Sequence, residues 1–433
     1  YYVNICGHWN RKVMYMGNTL DIIIVCILRI FVLLYLYQTL YLLVGLFCKP
    51  KRFIAENFHR YAVLISARNE RAVIANLIES IKNQDYSSEL VDIFVVADNC
   101  TDDTAVVARK AGAIVFERFD ERQKGKGYAL NYLLGMIKQQ YGPDYYEGYF
   151  VFDADNILEK DYISQMNTVF DNGYSLVTSY RNSKNYSDNW ITSGYGLWFL
   201  REARYLNNAR MILGASCVVS GTGFLVHKDI IKRNGGWNCF LLTEDIQFST
   251  ENIIRGDKIG YCADAMFYDE QPVRFIDSWN QRLRWSKGFY QVFFRYWKDL
   301  AKRIFMEFKF SCYDMFMTLL PGLLVTVLII LACLGVVVAE DTSSKVLMDS
   351  LTSLALYSVV ASYVSFFVMG LITTLTEWKK IYCNTQKKIF YLFTFPLFMF
   401  TYLPISIVAL SAKIHWKPIP HSVAVTANQI KGQ

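Results

Sequence analysis

FVFDADN, residues 150–156, is a short apolar run that stops at two aspartates one residue apart. A run of this length bounded by polar residues reads as a buried strand, and two carboxylates held so close repel each other unless a cation lies beside them. Working outward, YAVLISARNE (61–70) is another buried strand ending in a polar turn, and VDIFVVADNCTDDTA (91–105) repeats that design with Asp98 at its carboxyl end. Val73 to Asn83 has helical spacing between them, which makes a βαβ unit. Open α/β sheets bind ligands outside the carboxyl ends of their strands, so Asp98, Asp153 and Asp155 are expected along one edge.

KGKGYALN (124–131) sets two lysines among glycines at a predicted helix start, where backbone N–H groups and the helix dipole favour anions. Carboxylates and a lysine on one sheet edge carry both charge signs needed for a metal-bound diphosphate. A hard divalent cation takes one or two carboxylates plus phosphate oxygens. Asp155 is therefore the expected ligand of Mg²⁺ or Mn²⁺, with Asp153 left to hydrogen-bond a nucleoside.

Composition places this edge in a particular setting. The 433 residues are 53% hydrophobic with positive mean hydropathy, which is greasier than an ordinary cytosolic enzyme. Four apolar stretches exceed the roughly 20 residues needed to cross a bilayer: Leu20 to Cys48, Phe316 to Ala339, Leu351 to Leu375 and Ile389 to Ala412. The net charge of +7 forms no long basic tract, and its Lys and Arg flank the apolar stretches, which argues against nucleic acid. Lys49, Lys51 and Arg52, and then Lys379, Lys380, Lys387 and Lys388, predict cytoplasmic loops and a cytoplasmic central domain in a multi-pass protein of the plasma membrane. Ten cysteines without metal-type spacing read as free buried thiols of a reducing compartment. Met14 and Met16 are the first methionines, and Leu20 to Cys48 is too long for the apolar core of a signal peptide.

At this point the chain resembles the membrane-bound family 2 glycosyltransferases of GT-A fold, the group of cellulose, chitin, hyaluronan and poly-N-acetylglucosamine synthases. SARNE, ADNCTDDT, KGKGYALN, DAD, LLTEDIQ (241–247) and NQRLRW (280–285) follow one another in the family's order, although Ser66 stands where many members have proline. The resemblance implies a GT-A nucleotide-sugar domain with a mixed α/β sheet, flanked by transmembrane and interfacial helices. It implies Glu70, Asp98, Lys126 and Asp153 as nucleotide-binding residues, Asp155 as metal ligand, and Asp245, beside Glu244, as catalytic base. Gln281, Arg284 and Trp285 fit QxxRW at the acceptor and diphosphate, where an Arg fork suits phosphate oxygens and a Trp face suits a sugar ring. The implied donor is a UDP-sugar, and the implied acceptor is a growing β-linked polysaccharide. The rivals are single-sugar transfer to a membrane lipid such as diacylglycerol, and a transporter or receptor with a non-catalytic α/β domain. An accessory subunit is compatible with the family.

The expected organisation is an anchor (1–50), a catalytic domain (51–287), an amphipathic interfacial region (288–312), a membrane region (313–412) and a basic tail (413–433). Downstream of NQRLRW, Phe293, Trp297, Leu300, Ile304, Phe305 and Phe308 form a predicted apolar stripe facing lipid. RNSKNYSDN (181–189) reads as a polar loop without chemistry. Pro396 and Pro404 remove backbone donors and are expected to break the last apolar segment into a re-entrant or interfacial element that does not cross, leaving the tail cytosolic; an ordinary kinked span is the alternative. HWKPIPH (415–421) lies where the family carries a mobile loop over the nucleotide site, so Trp416 is the expected gating residue.

Overall fold

The computed structural model describes residues 29–30, 32–320, 345–414 and 421–432. Its body is an eight-stranded sheet: β1 Tyr61–Ala67, β2 Val91–Asp98, β3 Ile114–Arg118, β4 Gly148–Asp153, β5 Ile157–Leu158, β6 Leu176–Ser183, β7 Phe224–His227 and β8 Ile259–Asp269. The spatial order is β3-β2-β1-β4-β7-β6-β8-β5. β1 to β4 pair in parallel, β7 is antiparallel to both its neighbours, and β8 is parallel to β6. The expected mixed sheet is therefore present.

Near-continuous apolar runs fill the central strands because helices cover both faces, as parallel sheets require. Helix Ile74–Lys82 buries Ile74, Leu77, Ile78 and Ile81, the i, i+3, i+4, i+7 stripe of an amphipathic helix. Two reversals of direction around β7 restore the original sense, so β1, β2, β3, β4, β6 and β8 all end on one edge. Register then aligns their last residues: Ser66 opposite Asp153, Asp98 opposite Arg118, and Ser183 opposite Asp269. Asn69 and Asn99 follow two of these strands with φ of 58° and 52°, a left-handed turn that Asn tolerates better than most residues.

RNSKNYSDN is not the polar loop that its composition predicts. Arg181 to Ser183 belong to β6, and Lys184 and Asn185 are buried. A run of polar residues has no local signature of burial; β8 alongside it supplies the partners.

NQRLRW lies within one helix, Phe275–Glu307, whose 33 residues span about 50 Å. The boundary expected between residues 287 and 288 falls inside it. The predicted stripe also divides: Phe293 and Leu300 are buried in the core, whereas Trp297 and Phe305 are exposed, next to exposed Phe294 and Met306, and Phe308 caps the helix end.

Two described helices are long and apolar enough to cross a membrane, Leu356–Thr376 and Thr385–Ser411, and Val32–Phe47 is a shorter apolar helix. The four crossings of the multi-pass expectation are thus reduced to two candidates among the described residues; most of Phe316 to Ala339 and the start of Leu20 to Cys48 lie outside them. In the second candidate the helices Thr385–Phe400 and Tyr402–Ser411 meet at Thr401, which keeps helical torsions (φ −66°, ψ −15°), so the expected break at the two prolines is absent from the backbone there. Both its ends touch the body: Lys387 Nζ donates to the Ser187 carbonyl at 2.8 Å, and Lys287 Nζ donates to the Leu410 carbonyl at 3.0 Å. Cys217, Cys239, Cys262 and Cys312 are free and buried, as expected.

Candidate active site

The two aspartates of FVFDADN have separate surroundings. Asp153 ends β4 half exposed, and Lys126 Nζ donates to its Oδ1 at 2.5 Å and to the Gly221 carbonyl at 2.9 Å. Lys126 opens the helix Lys126–Tyr141, and its neighbour Gly127 packs so near the Cys239 carbonyl that an added Cβ would stand 2.2 Å from that oxygen. The Asp153 N–H donates to Thr222 Oγ1 at 2.8 Å, which fixes the turn from behind. Asp155 is buried and accepts the Glu270 N–H at 2.7 Å. Burial alone would push its carboxyl up, but His421, Lys184, that N–H and Arg181 together hold it below the usual range.

Three cationic groups that the sequence reading did not assign line this edge. Arg118 Nη1 lies 2.5 Å from Asp98 Oδ1, so the aspartate expected at the nucleoside is ion-paired; burial pushes its carboxyl up and Arg118 opposes this. Arg181 Nε donates to Asp269 Oδ2 at 2.8 Å. Lys184 donates to the Val423 carbonyl at 3.3 Å; burial pulls its ammonium down while Asp155 and Glu270 act against that.

The chain's last described segment crosses the same edge. His421 Nδ1 lies 3.0 Å from Glu70 Oε1, and the N–H groups of Ser422 and Val423 donate to the Glu270 carboxylate at 3.0 and 2.9 Å. Burial would lower the His421 imidazolium; Asp155, Glu70 and Glu270 outweigh it and keep the ring charged up to about 10. Trp416 lies outside the described residues.

Glu244 and Asp245 open the helix Glu244–Arg255, where backbone N–H groups favour carboxylates. Asp245 Oδ2 accepts the Gly221 N–H at 2.6 Å. Burial and the Asp245 charge push Glu244 up to about 7 against the pull of Lys126 and Arg284, and burial pushes Asp245 up as well. Arg284 is brought here by Gly288, whose place an added Cβ could not share with Thr243, 2.5 Å away. Trp285 meets Tyr195 edge-on at 5.8 Å, in a cluster with Phe199 and Phe398. Gln281 is half buried on the same helix. Between them Arg282 is fully buried and points away from this edge: its Nη1 donates to Thr401 Oγ1 at 2.5 Å, and its guanidinium lies 4.4 Å from the Phe398 ring centre.

The site thus gathers Glu70, Asp98, Lys126, Asp153, Asp155, Glu244, Asp245 and Arg284 within one polar edge. Among the described residues no group of three or more His, Cys, Asp or Glu side chains is arranged to hold a metal ion. Asp155 and its acidic neighbours Glu70 and Glu270 are hard oxygen donors in a cluster already neutralised by His421 and Lys184. Asp155 has the oxygen chemistry a divalent cation takes, with a diphosphate supplying the remaining ligands, but such a cation would compete with the positive charge that His421 and Lys184 already place beside it.

A family model described as glycosyltransferase like family 2 matches residues 59–288. The chain is 26% identical over 256 residues to a beta-monoglucosyldiacylglycerol synthase of Synechocystis sp., covering 56% of this chain and 50% of that one. It is also 26% identical over 237 residues to a poly-beta-1,6-N-acetyl-D-glucosamine synthase of Staphylococcus aureus, covering 54% and 55%. The chain spans about half the length of these curated relatives. Among solved structures, a mannosyltransferase of Pyrobaculum calidifontis in complex with GDP-Man and Mn²⁺ superposes with a TM-score of 0.55 at 16% identity, covering 87% of this chain and 94% of that one. That likeness establishes the shared GT-A fold.

Proposed function

The chain belongs to glycosyltransferase family 2, and from that premise we propose that it transfers a sugar from a UDP-sugar, with inversion, to an acceptor hydroxyl at the cytoplasmic face of the plasma membrane. The observation that carries this reading is the unbroken string Asp245, Gly221, Lys126, Asp153, which ties a base and a diphosphate cation to the same residue.

Asp245 takes the proton of the acceptor hydroxyl as its oxygen bonds the anomeric carbon and the bond to the diphosphate oxygen breaks. Burial raises Asp245, which makes its carboxylate a better proton acceptor near neutrality. Glu244 beside it adds a second carboxyl that burial and the Asp245 charge push up. Lys126 and Arg284 face the charge that develops on the leaving diphosphate. Asp98 with Arg118, and Glu70 and Asp153, position the nucleoside and its phosphates. Asp155 would hold Mg²⁺ or Mn²⁺, which when bound supplies Lewis-acid neutralisation of the diphosphate. Gln281 and Trp285 orient the acceptor.

The acceptor in the first reading is a growing β-linked polysaccharide, whose passage across the membrane would fall to the apolar helices Leu356–Thr376 and Thr385–Ser411 or to an accessory subunit. The second reading is one sugar onto a lipid such as diacylglycerol. It is favoured by the cluster of Tyr195, Trp285 and Phe398, which joins the acceptor residues directly to the apolar helix Thr385–Ser411. Contact of that helix with the body at both ends supports a surface-lying element, with lipid meeting the exposed ridge of Phe294, Trp297, Phe305 and Met306. The organisation proposed is an anchor, a catalytic body continuous with the interfacial helix, a membrane region, and a tail that Trp416 couples to the nucleotide site. Incubating membranes with single labelled UDP-sugars decides the acceptor: label retained in a high-mass polar product supports elongation, label extracted into organic solvent supports the lipid, and no transfer overturns the proposal.

A further inference from the structure

We propose that Gly221 is a positioning residue for the transfer: its N–H orients the Asp245 carboxylate, its C=O holds Lys126, and one residue thereby sets the spacing between base and diphosphate cation. The inference rests on Asp245 being the base.

The two bonds are 2.6 Å from the Gly221 N–H to Asp245 Oδ2 and 2.9 Å from Lys126 Nζ to the Gly221 carbonyl oxygen. Both groups belong to a turn pinned on each side. The preceding Ser220 carbonyl accepts Arg181 Nη1 at 3.3 Å. On the other side Thr222 Oγ1 accepts the Asp153 N–H at 2.8 Å and donates to Asn156 Oδ1 at 2.5 Å. Gly223 closes the turn where an added Cβ would stand 2.2 Å from the Phe267 ring. The turn therefore rests on β4, β6 and β8 together, and Lys126 and Asp245, from two different helices, both take their positions from it.

Gly221 has φ of +79°, a left-handed conformation open to glycine and strained for most L residues. An added Cβ finds only Arg181 Nη1, at 3.8 Å, so a methyl group fits the space and the cost of Gly221→Ala lies in the backbone. Relaxing that strain rotates the N–H and C=O away from their partners. Asn, which tolerates the left-handed region, keeps both groups in place. Gly256 is a matched control: it caps the helix Glu244–Arg255 at its far end with φ of +96° and nothing within 4 Å of an added Cβ.

The test compares Gly221→Ala, Gly221→Asn, Gly256→Ala and Asp245→Asn in the purified full chain, reading release of UDP from UDP-glucose and from UDP-N-acetylglucosamine. Misplacement of reacting groups by about 1 Å costs on the order of 100-fold, so Gly221→Ala should lose roughly 10- to 100-fold in kcat with UDP affinity nearly unchanged. Gly256→Ala should match wild type and Gly221→Asn should recover most of the loss. The acid limb of the pH profile should move up in Gly221→Ala, because a hydrogen bond that favours the Asp245 carboxylate is gone. A Gly221→Ala profile that overlays Gly256→Ala, with Asp245→Asn inactive, overturns the inference and leaves the base in place. A fully active Asp245→Asn overturns the base itself. A readout independent of turnover is the amide signal of Gly221 in ¹⁵N-glycine-labelled protein, identified by its loss in Gly221→Ala. It should titrate with pH in wild type and cease to do so in Asp245→Asn; an amide insensitive to both also overturns the inference.

Discussion

His421 Nδ1 lies 3.0 Å from the Glu70 carboxylate, so a residue near the end of the chain closes on the turn that follows the first strand. The His421 ring is held charged up to about 10, above the ordinary imidazole value of about 6.5. Its stabilising contribution is thus complete below about pH 6.5 and lost as pH rises through about 10. Docking of residues 421–432 should persist at pH 7 and weaken toward pH 10. His421→Ala should release the segment already at neutral pH, at a cost of roughly 1–3 kcal/mol for a buried partner removed. Protease cleavage near Lys431, followed against pH, checks both; equal protection of wild type and variant at pH 7 contradicts the docking.

Asp245→Asn keeps volume and can retain the Gly221 hydrogen bond but cannot accept a proton. Turnover should fall on the order of 10²- to 10⁴-fold with UDP affinity little changed. In wild type, turnover should decline as pH drops below neutrality, since burial raises Asp245 and Glu244 reaches about 7. A pH profile flat from 5 to 8 would remove both acids from the chemistry.

Asp155 and Asp98 should fail differently. Asp155→Ala should abolish the gain in UDP affinity that Mn²⁺ confers, whereas Asp98→Ala should weaken UDP binding with or without metal. Asp98→Ala also leaves buried Arg118 with Asp120 as its remaining carboxylate partner, so the stability loss should be smaller than the roughly 3–5 kcal/mol of a buried charge left unpaired. The double variant Asp98→Ala/Arg118→Met should recover stability but not UDP affinity. Calorimetry of UDP with and without Mn²⁺, beside thermal unfolding, separates the cases.

Arg282 and Arg284 sit two residues apart and should behave oppositely. Arg282→Met removes the bond to Thr401 and the stacking on Phe398, so it should loosen the helix Thr385–Ser411 and lower the unfolding temperature while UDP affinity holds. Arg284→Met should leave unfolding unchanged and cut turnover by roughly 10-fold or more, as loss of a charge-stabilising donor does. Reversed outcomes would exchange the two roles.

The segment docked on the active-site edge places the tail on the same side as the body. A thiol introduced by Gln433→Cys should therefore resist an impermeant reagent added to sealed cells and react after lysis. Trp416→Ala should impair transfer without lowering the unfolding temperature. Labelling of intact cells from outside contradicts the cytosolic tail.

The place of Asp98, Asp153 and Asp155 on one edge was legible in the residues alone, because short buried strands end at polar turns and parallel strands must end together, and the place of Lys126 at a helix start was legible from its glycines. Glu244 and Asp245 were legible as a motif in the family's order. The partners of these acids were not. Arg118 meets Asp98 only through the pairing of β2 with β3, and Lys184 reaches Asp155 only because β8 buries a stretch that reads as a solvated loop. Gly221 is an unremarked glycine until two helices from distant parts of the chain converge on its peptide groups. Local pattern fixes which residues end a strand or begin a helix, since that depends on spacing over a few positions. Which cation neutralises which buried acid depends on contacts between residues 20 to more than 300 apart, and only the packed sheet brings those together.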